Sequence, residues 1–141
     1  MSRSENTTRY FFQHFVQKPF VSCRPAFLGR LELDGFCKPY RLAFEYNGLH
    51  HVYPHFHKNS YYFMKQLERD SRKARLCKEE GVHLMIIPHW HTYENIQDMS
   101  TFIYNQLIQA EIIRKEIYIR NANPKEAVEQ YFYDLNLRKF K

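Results

Sequence analysis

Acidic side chains occupy alternate positions in two short segments of the chain, where they could gather into one site. Glu32 and Asp34 alternate with leucines, and Glu45 stands between Phe44 and Tyr46 in a second alternating run. Successive side chains of a β-strand point to opposite faces, so Glu32 and Asp34 share a face. If the two strands pair, the acids meet, and closely spaced carboxylates favour a hard divalent cation such as Mg²⁺. The alternative is that they are solvent-facing charges on a half-exposed sheet.

A lysine on a predicted helix is placed to complete such a site. An apolar stripe on this helix is interrupted at its i+7 position by Asp70, and Lys73 follows one turn later. An acid on the side of a helix that faces a sheet needs a physical reason. Either Asp70 and Lys73 lean over the carboxylates of the strands, or they form a local ion pair at i, i+3.

Histidines are concentrated between the second strand and this helix. The segment contains His50, His51, His55, His57 and Lys58. Structural zinc sites usually take four ligands with paired spacing, whereas the three cysteines here are scattered and lack a CxxC pair. We therefore expect a loop that contacts phosphates, and no structural Zn²⁺.

The elements that must position these residues can be predicted from periodicity. Strict alternation predicts strands over residues 30–34 and 41–47, joined as a hairpin by a turn at 35–40. A helix over residues 60–80 then leads to an apolar run at 82–87, which is typical of a strand buried on both faces. Strand, helix and strand make a βαβ crossover with 41–47 and 82–87 parallel.

The flanking segments are predicted to be helical. Helices are expected over residues 5–17, 94–119 and 125–137, with an irregular connector between Pro19 and Pro25. The expected fold class is α/β: a small mixed β-sheet, made of a hairpin plus a βαβ crossover, flanked by helices. We expect one domain over residues 1–141, with its core at about 20–90 and a C-terminal helical segment at 94–137.

Composition excludes several classes of protein and favours one kind of partner. Only four glycines are present, with neither GxGxxG nor GxxxxGK[ST], and HExxH is also absent, which argues against dinucleotide-binding enzymes, P-loop NTPases and zincins. The formal charge of +6 suits a polyanion such as nucleic acid. No apolar run approaches the roughly 18 residues of a membrane span and no signal peptide is recognisable, so we expect an intracellular protein that does not enter membranes.

The same residues resemble a known family. The likeness is carried by Arg24–Leu28, Leu31–Gly35, Ala43–Gly48, His50–His51, Glu68–Lys73 and Cys77–Pro88. In this order they resemble the active-site region of PD-(D/E)XK, or restriction-endonuclease-like, nucleases. The nearest branch holds the very-short-patch-repair and homing-type endonucleases. The likeness covers roughly residues 20–90 and implies a metal-dependent endonuclease that hydrolyses phosphodiester bonds, with DNA as the substrate by analogy.

The resemblance also implies a role for individual residues. Asp34 and Glu45 match the two acids that hold Mg²⁺, with Mn²⁺ able to substitute, and the backbone carbonyl of Tyr46 would be a third ligand. Glu32 would be an outer-shell ligand. The usual lysine of the family falls on Asn47, which carries no charge, so Lys73 is the natural substitute.

Further implied roles concern proton transfer and nucleic-acid binding. His50 or His51 would serve as an acid or base, and Asp70 would support Lys73. The residues expected to bind nucleic acid are His51, His55, His57, Lys58, Arg69 and Arg72. Alternatives are a nucleic-acid-binding module whose nuclease site has decayed, which the loss of lysine at Asn47 favours, and a structural subunit of a larger virion or repair assembly. The oligomeric state stays open, a homodimer included.

Overall fold

A computed structural model describes residues 2–47 and 60–138 of the chain. Its helices and strands are α1 (Arg3–Val16), β1 (Val21–Cys23), β2 (Leu33–Cys37), β3 (Leu42–Tyr46), α2 (Ser60–Glu79), β4 (His83–Ile87), α3 (Ile96–Ile113) and α4 (Pro124–Arg138). The fold is mixed α/β, as the periodicity predicted. Within the described ranges, no helix is both long and apolar enough to cross a membrane.

The residues fall into two compact units. One unit is Phe20–Trp90, which contains the sheet and α2. The other combines Met1–Pro19 with His91–Lys141 and contains α1, α3 and α4. The expected organisation, one nuclease domain over residues 1–141 with its core at about 20–90, stays a prediction.

The four strands form one mixed sheet in the order β1-β2-β3-β4. The β2–β3 pair is antiparallel and joined by a short connection, which is the predicted hairpin. The β3–β4 pair is parallel with Glu45 opposite Ile86, and α2 forms the crossover between these two strands. The predicted hairpin and βαβ crossover are therefore both present.

The prediction of the first strand was wrong in its bounds. It was expected over residues 30–34 with a turn from Gly35, but β2 runs over Leu33–Cys37 and the turn comes at Lys38–Tyr40. Gly35 pairs with Phe44, and a Cβ at Gly35 would overlap the Phe44 ring. Glycine is needed here for close approach to that ring, whereas the sequence pattern suggested a turn.

A third strand was missed between Pro19 and Pro25. Val21–Cys23 forms β1 and pairs antiparallel with β2, with an irregular register between Val21 and Cys23. Three residues are too few to produce a recognisable alternation. The connector therefore supplies the edge of the sheet.

Helix α2 packs against part of one face of the sheet. Leu33 and Ala43 of the strands form a buried cluster with Cys77 near the end of α2. The expectation that the last strand is buried on both faces was wrong, because Ile86 is 41% exposed. Ile86 is the partner of Glu45, so the sheet is less covered next to that acid.

The C-terminal segment breaks where one helix was expected. Residues 94–119 were predicted to be continuous, but α3 ends at Ile113 and Arg114 has an extended backbone. Ile117 and Ile119 are both buried. In a helix these two side chains would point about 160° apart, to nearly opposite faces, whereas an extended segment turns both toward the same side.

Candidate active site

Asp34 and Glu45 come together where β2 and β3 pair. Gly35 lies opposite Phe44, and the next positions along the two strands are Asp34 and Glu45. Their side chains are joined by a hydrogen bond. Asp34 Oδ2 also accepts a hydrogen bond of 2.8 Å from the backbone N–H of Tyr46, which fixes this carboxylate over the second strand. The antiparallel register thus produces a pair of acids from residues eleven positions apart.

Lys73 reaches this pair from α2. Its ammonium Nζ contacts Glu45 Oε1, and both side chains are largely buried. The alternative of a local ion pair with Asp70 is therefore not the arrangement seen. A buried charge requires a close partner because it loses its hydration, so the Glu45 oxygen supplies the acceptor that the Lys73 ammonium needs.

The electrostatics of the pair are set by burial. Glu45 is only 6% exposed. Burial, the hydrogen bond that the protonated carboxyl group donates to Asp34, and the negative charge of Asp34 raise the pKa of Glu45 to about 9, against the lowering effect of Lys73. In the metal-free protein, Glu45 therefore holds its proton far more strongly than an exposed glutamic acid does.

Backbone contacts hold the ends of β3 and β4 next to this site. The N–H of Asn47 donates to the carbonyl of Ile87 at 2.9 Å, which extends the parallel ladder past the end of β3. The hydroxyl of Tyr46 donates to the carbonyl of His89 at 3.3 Å. Asn47 thus lies two residues beyond Glu45 at the carboxyl end of the strand, and the role of the Tyr46 carbonyl as a ligand stays a prediction.

The polar residues around Lys73 on α2 are linked to one another. Asp70 Oδ1 accepts a hydrogen bond of 2.9 Å from Gln66 Nε2. Arg69 donates to Gln66 Oε1 at 3.1 Å. Arg72 is exposed one position before Lys73. Asp70 therefore belongs to a polar cluster on the same helix as Lys73, while Arg69 and Arg72 have the exposure that contact with a nucleic acid requires.

Glu32 lies apart from the strand pairing that joins the other two acids. It precedes the first residue of β2, and its carboxylate forms an ion pair of 3.8 Å with Arg24. The side chain is 46% exposed. Its role as an outer-shell ligand stays a prediction.

The histidine segment falls outside the described residues. The predicted roles of His50, His51, His55, His57 and Lys58 lie within residues 48–59, which the structure does not describe. They stay predictions from the sequence.

The acid pair suits a magnesium ion in its chemistry. Mg²⁺ is commonly held by one or two carboxylates together with water and phosphate oxygens. Asp34 and Glu45 provide two carboxyl groups. Burial and the neighbouring Asp34 raise the pKa of Glu45 more than Lys73 lowers it, so a bound cation would add the positive charge that favours its ionised form. No group of three or more His, Cys, Asp or Glu side chains gathers within the described ranges. Among the described residues, Asp34 and Glu45 are therefore the acids that would hold an ion here.

Comparison with known proteins gives relatives without an assigned activity. The chain is 35% identical over 103 residues to "Uncharacterized protein 307L" of Invertebrate iridescent virus 6, covering 64% of this chain and 50% of the relative. It is 36% identical over 114 residues to "Uncharacterized protein 033L" of Invertebrate iridescent virus 3, covering 75% of this chain and 57% of the relative. The chain thus spans about half the length of the curated relatives it matches. No family model and no solved structure matches it.

Proposed function

We propose that this protein is a metal-dependent endonuclease of the restriction-endonuclease-like kind, which hydrolyses phosphodiester bonds of nucleic acid. The observation that supports the proposal is the contact of the Lys73 ammonium with Glu45, whose side chain is also hydrogen-bonded to Asp34. Three residues from two strands and a helix thereby form one compact group. Two carboxyl groups beside one ammonium are the residue types that hold a divalent cation and contact a phosphate.

Asp34 and Glu45 would hold Mg²⁺, for which Mn²⁺ could substitute. When bound, the ion would lower the pKa of a water molecule and neutralise charge on the phosphate under attack. The Tyr46 N–H fixes the Asp34 carboxylate in its orientation. Because Glu45 carries a proton in the metal-free protein, loading the site would release it.

Lys73 would take the position that lysine holds on the second strand in similar enzymes. Its ammonium has three donors, one of which contacts Glu45. The others can donate to an oxygen of the phosphate or to the attacking water. A compact positive charge in a partly buried site stabilises negative charge that develops during hydrolysis. Asn47 would contribute a neutral hydrogen bond.

Cleavage assays with acid variants test this proposal. Plasmid and single-stranded DNA are incubated with the wild type at varied Mg²⁺ and with Mn²⁺, and RNA is added as a further substrate. Asp34→Ala and Glu45→Ala are expected to abolish cleavage while nucleic-acid binding persists, because phosphate contacts elsewhere remain. Glu45→Ala should melt at a lower temperature than the wild type, because it removes the contact of the buried Lys73 ammonium, so both variants are assayed below their melting temperatures. The matched control is Glu79→Ala, which removes an exposed acid of α2 that pairs with Arg75.

Two results would count against the nuclease. If both acid variants cut at the wild-type rate, the site is wrongly assigned. If the wild type binds DNA without cutting it, and calorimetry detects no divalent ion, the chain is a binding module whose site has decayed.

A further inference from the structure

The first part of α2 exposes aromatic and apolar side chains to solvent. Tyr61 is 61% exposed, Tyr62 is 47% exposed and Met64 is 54% exposed. The one fully buried residue of this helix is Cys77, close to its end. A helix that only covers a sheet buries its large apolar residues along one stripe. The first turns of α2 therefore present an aromatic surface that stays exposed after α2 has packed against the other described residues.

Tyr62 lies on the same side of α2 as the lysine of the candidate active site. Tyr62, Arg69 and Lys73 stand at positions i, i+7 and i+11, which share one face of an α-helix. We call these three residues the site-side stripe. Lys73 contacts Glu45, so the stripe starts at the acid pair and extends away from it along the helix for about 16 Å.

The charges around these aromatic residues favour an anionic partner. Four basic residues, Lys65, Arg69, Arg72 and Lys73, accompany the aromatic residues, against two acids. Glu68 pairs with Lys65 at 3.4 Å, and Asp70 accepts a hydrogen bond from Gln66. The Arg69 guanidinium donates to Gln66 Oε1, which holds it along the helix between Tyr62 and Lys73. Exposed aromatic rings combined with positive charges are the surface that single-stranded nucleic acids bind, by base stacking and phosphate contacts.

We propose that the site-side stripe binds a single-stranded segment of nucleic acid that leads to the acid pair. Tyr62 stacks on a base and Arg69 contacts a phosphate. The inference rests on the proposed nuclease function and adds the class of substrate. A tyrosine ring can stack on a base face only where that face is not covered by neighbouring bases, so the stripe selects a single strand over a duplex.

Binding measured without divalent metal tests the stripe separately from cleavage. The probes are a fluorescein-labelled oligodeoxythymidine of about 20 nucleotides, the matching oligouridine, and a DNA duplex of equal length, followed by fluorescence anisotropy. The wild type should bind a single strand more tightly than the duplex. Tyr62→Ala should weaken single-strand binding by about 5- to 100-fold, the effect of losing one stacked base. Tyr62→Phe, which keeps the ring, should retain most of the affinity.

The matched control is another exposed tyrosine with an adjacent arginine. Tyr118 is 58% exposed, and the guanidinium of Arg120 lies 5.1 Å from its ring centre. Tyr118→Ala should leave binding unchanged. Thermal melting of Tyr62→Ala and Tyr118→Ala confirms that both remain folded, as expected for exposed positions.

Each outcome supports or overturns the stripe. Binding to either single strand that depends on Tyr62 supports it, even if no cleavage is ever observed, in which case only the nuclease is rejected. Binding that Tyr62→Ala leaves intact, or that favours the duplex, overturns the stripe while the Asp34→Ala cleavage assay still decides the nuclease. Absence of binding to all three probes also overturns the proposal, and a protein then becomes the next candidate partner for the site-side stripe.

Discussion

Glu45 is held as a protonated acid in the metal-free protein by its surroundings. Its burial and the adjacent Asp34 raise its pKa to about 9, while Lys73 opposes this rise. In the unfolded chain the same group titrates near 4.5. The proton on Glu45 therefore links folding and metal binding to pH.

The stability of the metal-free protein should fall as pH rises. Between about pH 4.5 and pH 9 the folded protein keeps the Glu45 proton and the unfolded chain releases it, so unfolding becomes more favourable with each unit of pH. Urea denaturation at several pH values, with a chelator present, measures this slope. In the Glu45→Gln variant the side chain at position 45 does not titrate, so its stability should lack the pH dependence that Glu45 contributes. Parallel pH profiles for the two proteins would contradict the prediction.

Lys73, and not Asn47, should carry the positive charge that cleavage requires. Lys73→Ala is expected to lower the single-turnover rate by about 10²-fold or more, the scale of losing one electrostatic donor to a transition state. Asn47→Ala should cost clearly less, because this residue brings no charge.

A relocated lysine provides the control for this prediction. Asn47→Lys should be tolerated and should partly rescue Lys73→Ala, since Asn47 lies two residues beyond Glu45 on β3. If Lys73→Ala cuts normally while Asn47→Ala is inactive, the assignment to α2 is wrong. His50 and His51 then become the next candidates.

The pairing of β2 with β3 depends on a close approach at Gly35. The Phe44 ring occupies the space that a Cβ at Gly35 would take. Asp34 is the neighbour of Gly35 on β2 and lies opposite Glu45. Any shift of β2 at Gly35 therefore also moves Asp34 relative to Glu45. The element that positions the acids therefore tolerates little change here.

Gly35→Ala should destabilise the protein by about 1–3 kcal/mol, the usual effect of overpacking a buried position. Urea denaturation of a double-mutant cycle with Phe44→Leu identifies the cause, because the alanine should cost less once the ring is gone. An equal cost in both backgrounds would show that Phe44 is not what the alanine meets.

The whole molecule carries a formal charge of +6, which should make nucleic-acid binding strongly dependent on salt. Each neutralised phosphate releases counterions, so the dissociation constant is expected to rise steeply between ~50 and ~200 mM salt. Anisotropy titrations over this range give the slope. Replacing Arg69 and Arg72 together by glutamine should reduce the slope by about two, one for each lost phosphate contact. A flat dependence on salt would argue against nucleic acid as the partner.

Local patterns in the sequence were sufficient to predict most elements of the sheet unit and the meeting of two acids. Alternation identified β3, and helical spacing of apolar residues identified α2, because both signals depend on neighbours within a few residues. The pairing of strands then followed from their order and the short connection. The missed strand β1 is too short for such a signal, and the end of α3 at Ile113 depends on the burial of Ile117 and Ile119.

Tertiary structure alone decided which contacts these elements make. Asp70 and Glu45 were both available to Lys73 from the sequence, and the choice of Glu45 depends on the packing of α2 over residues 28 positions away. The sequence suggested a turn at Gly35, whereas in the structure Gly35 lies in β2 beside the Phe44 ring. The exposure of Tyr62 and Ile86 likewise depends on how far α2 covers the sheet. Periodicity describes which face of an element a residue occupies, but the partner across that face is set by packing between segments that are distant in the sequence.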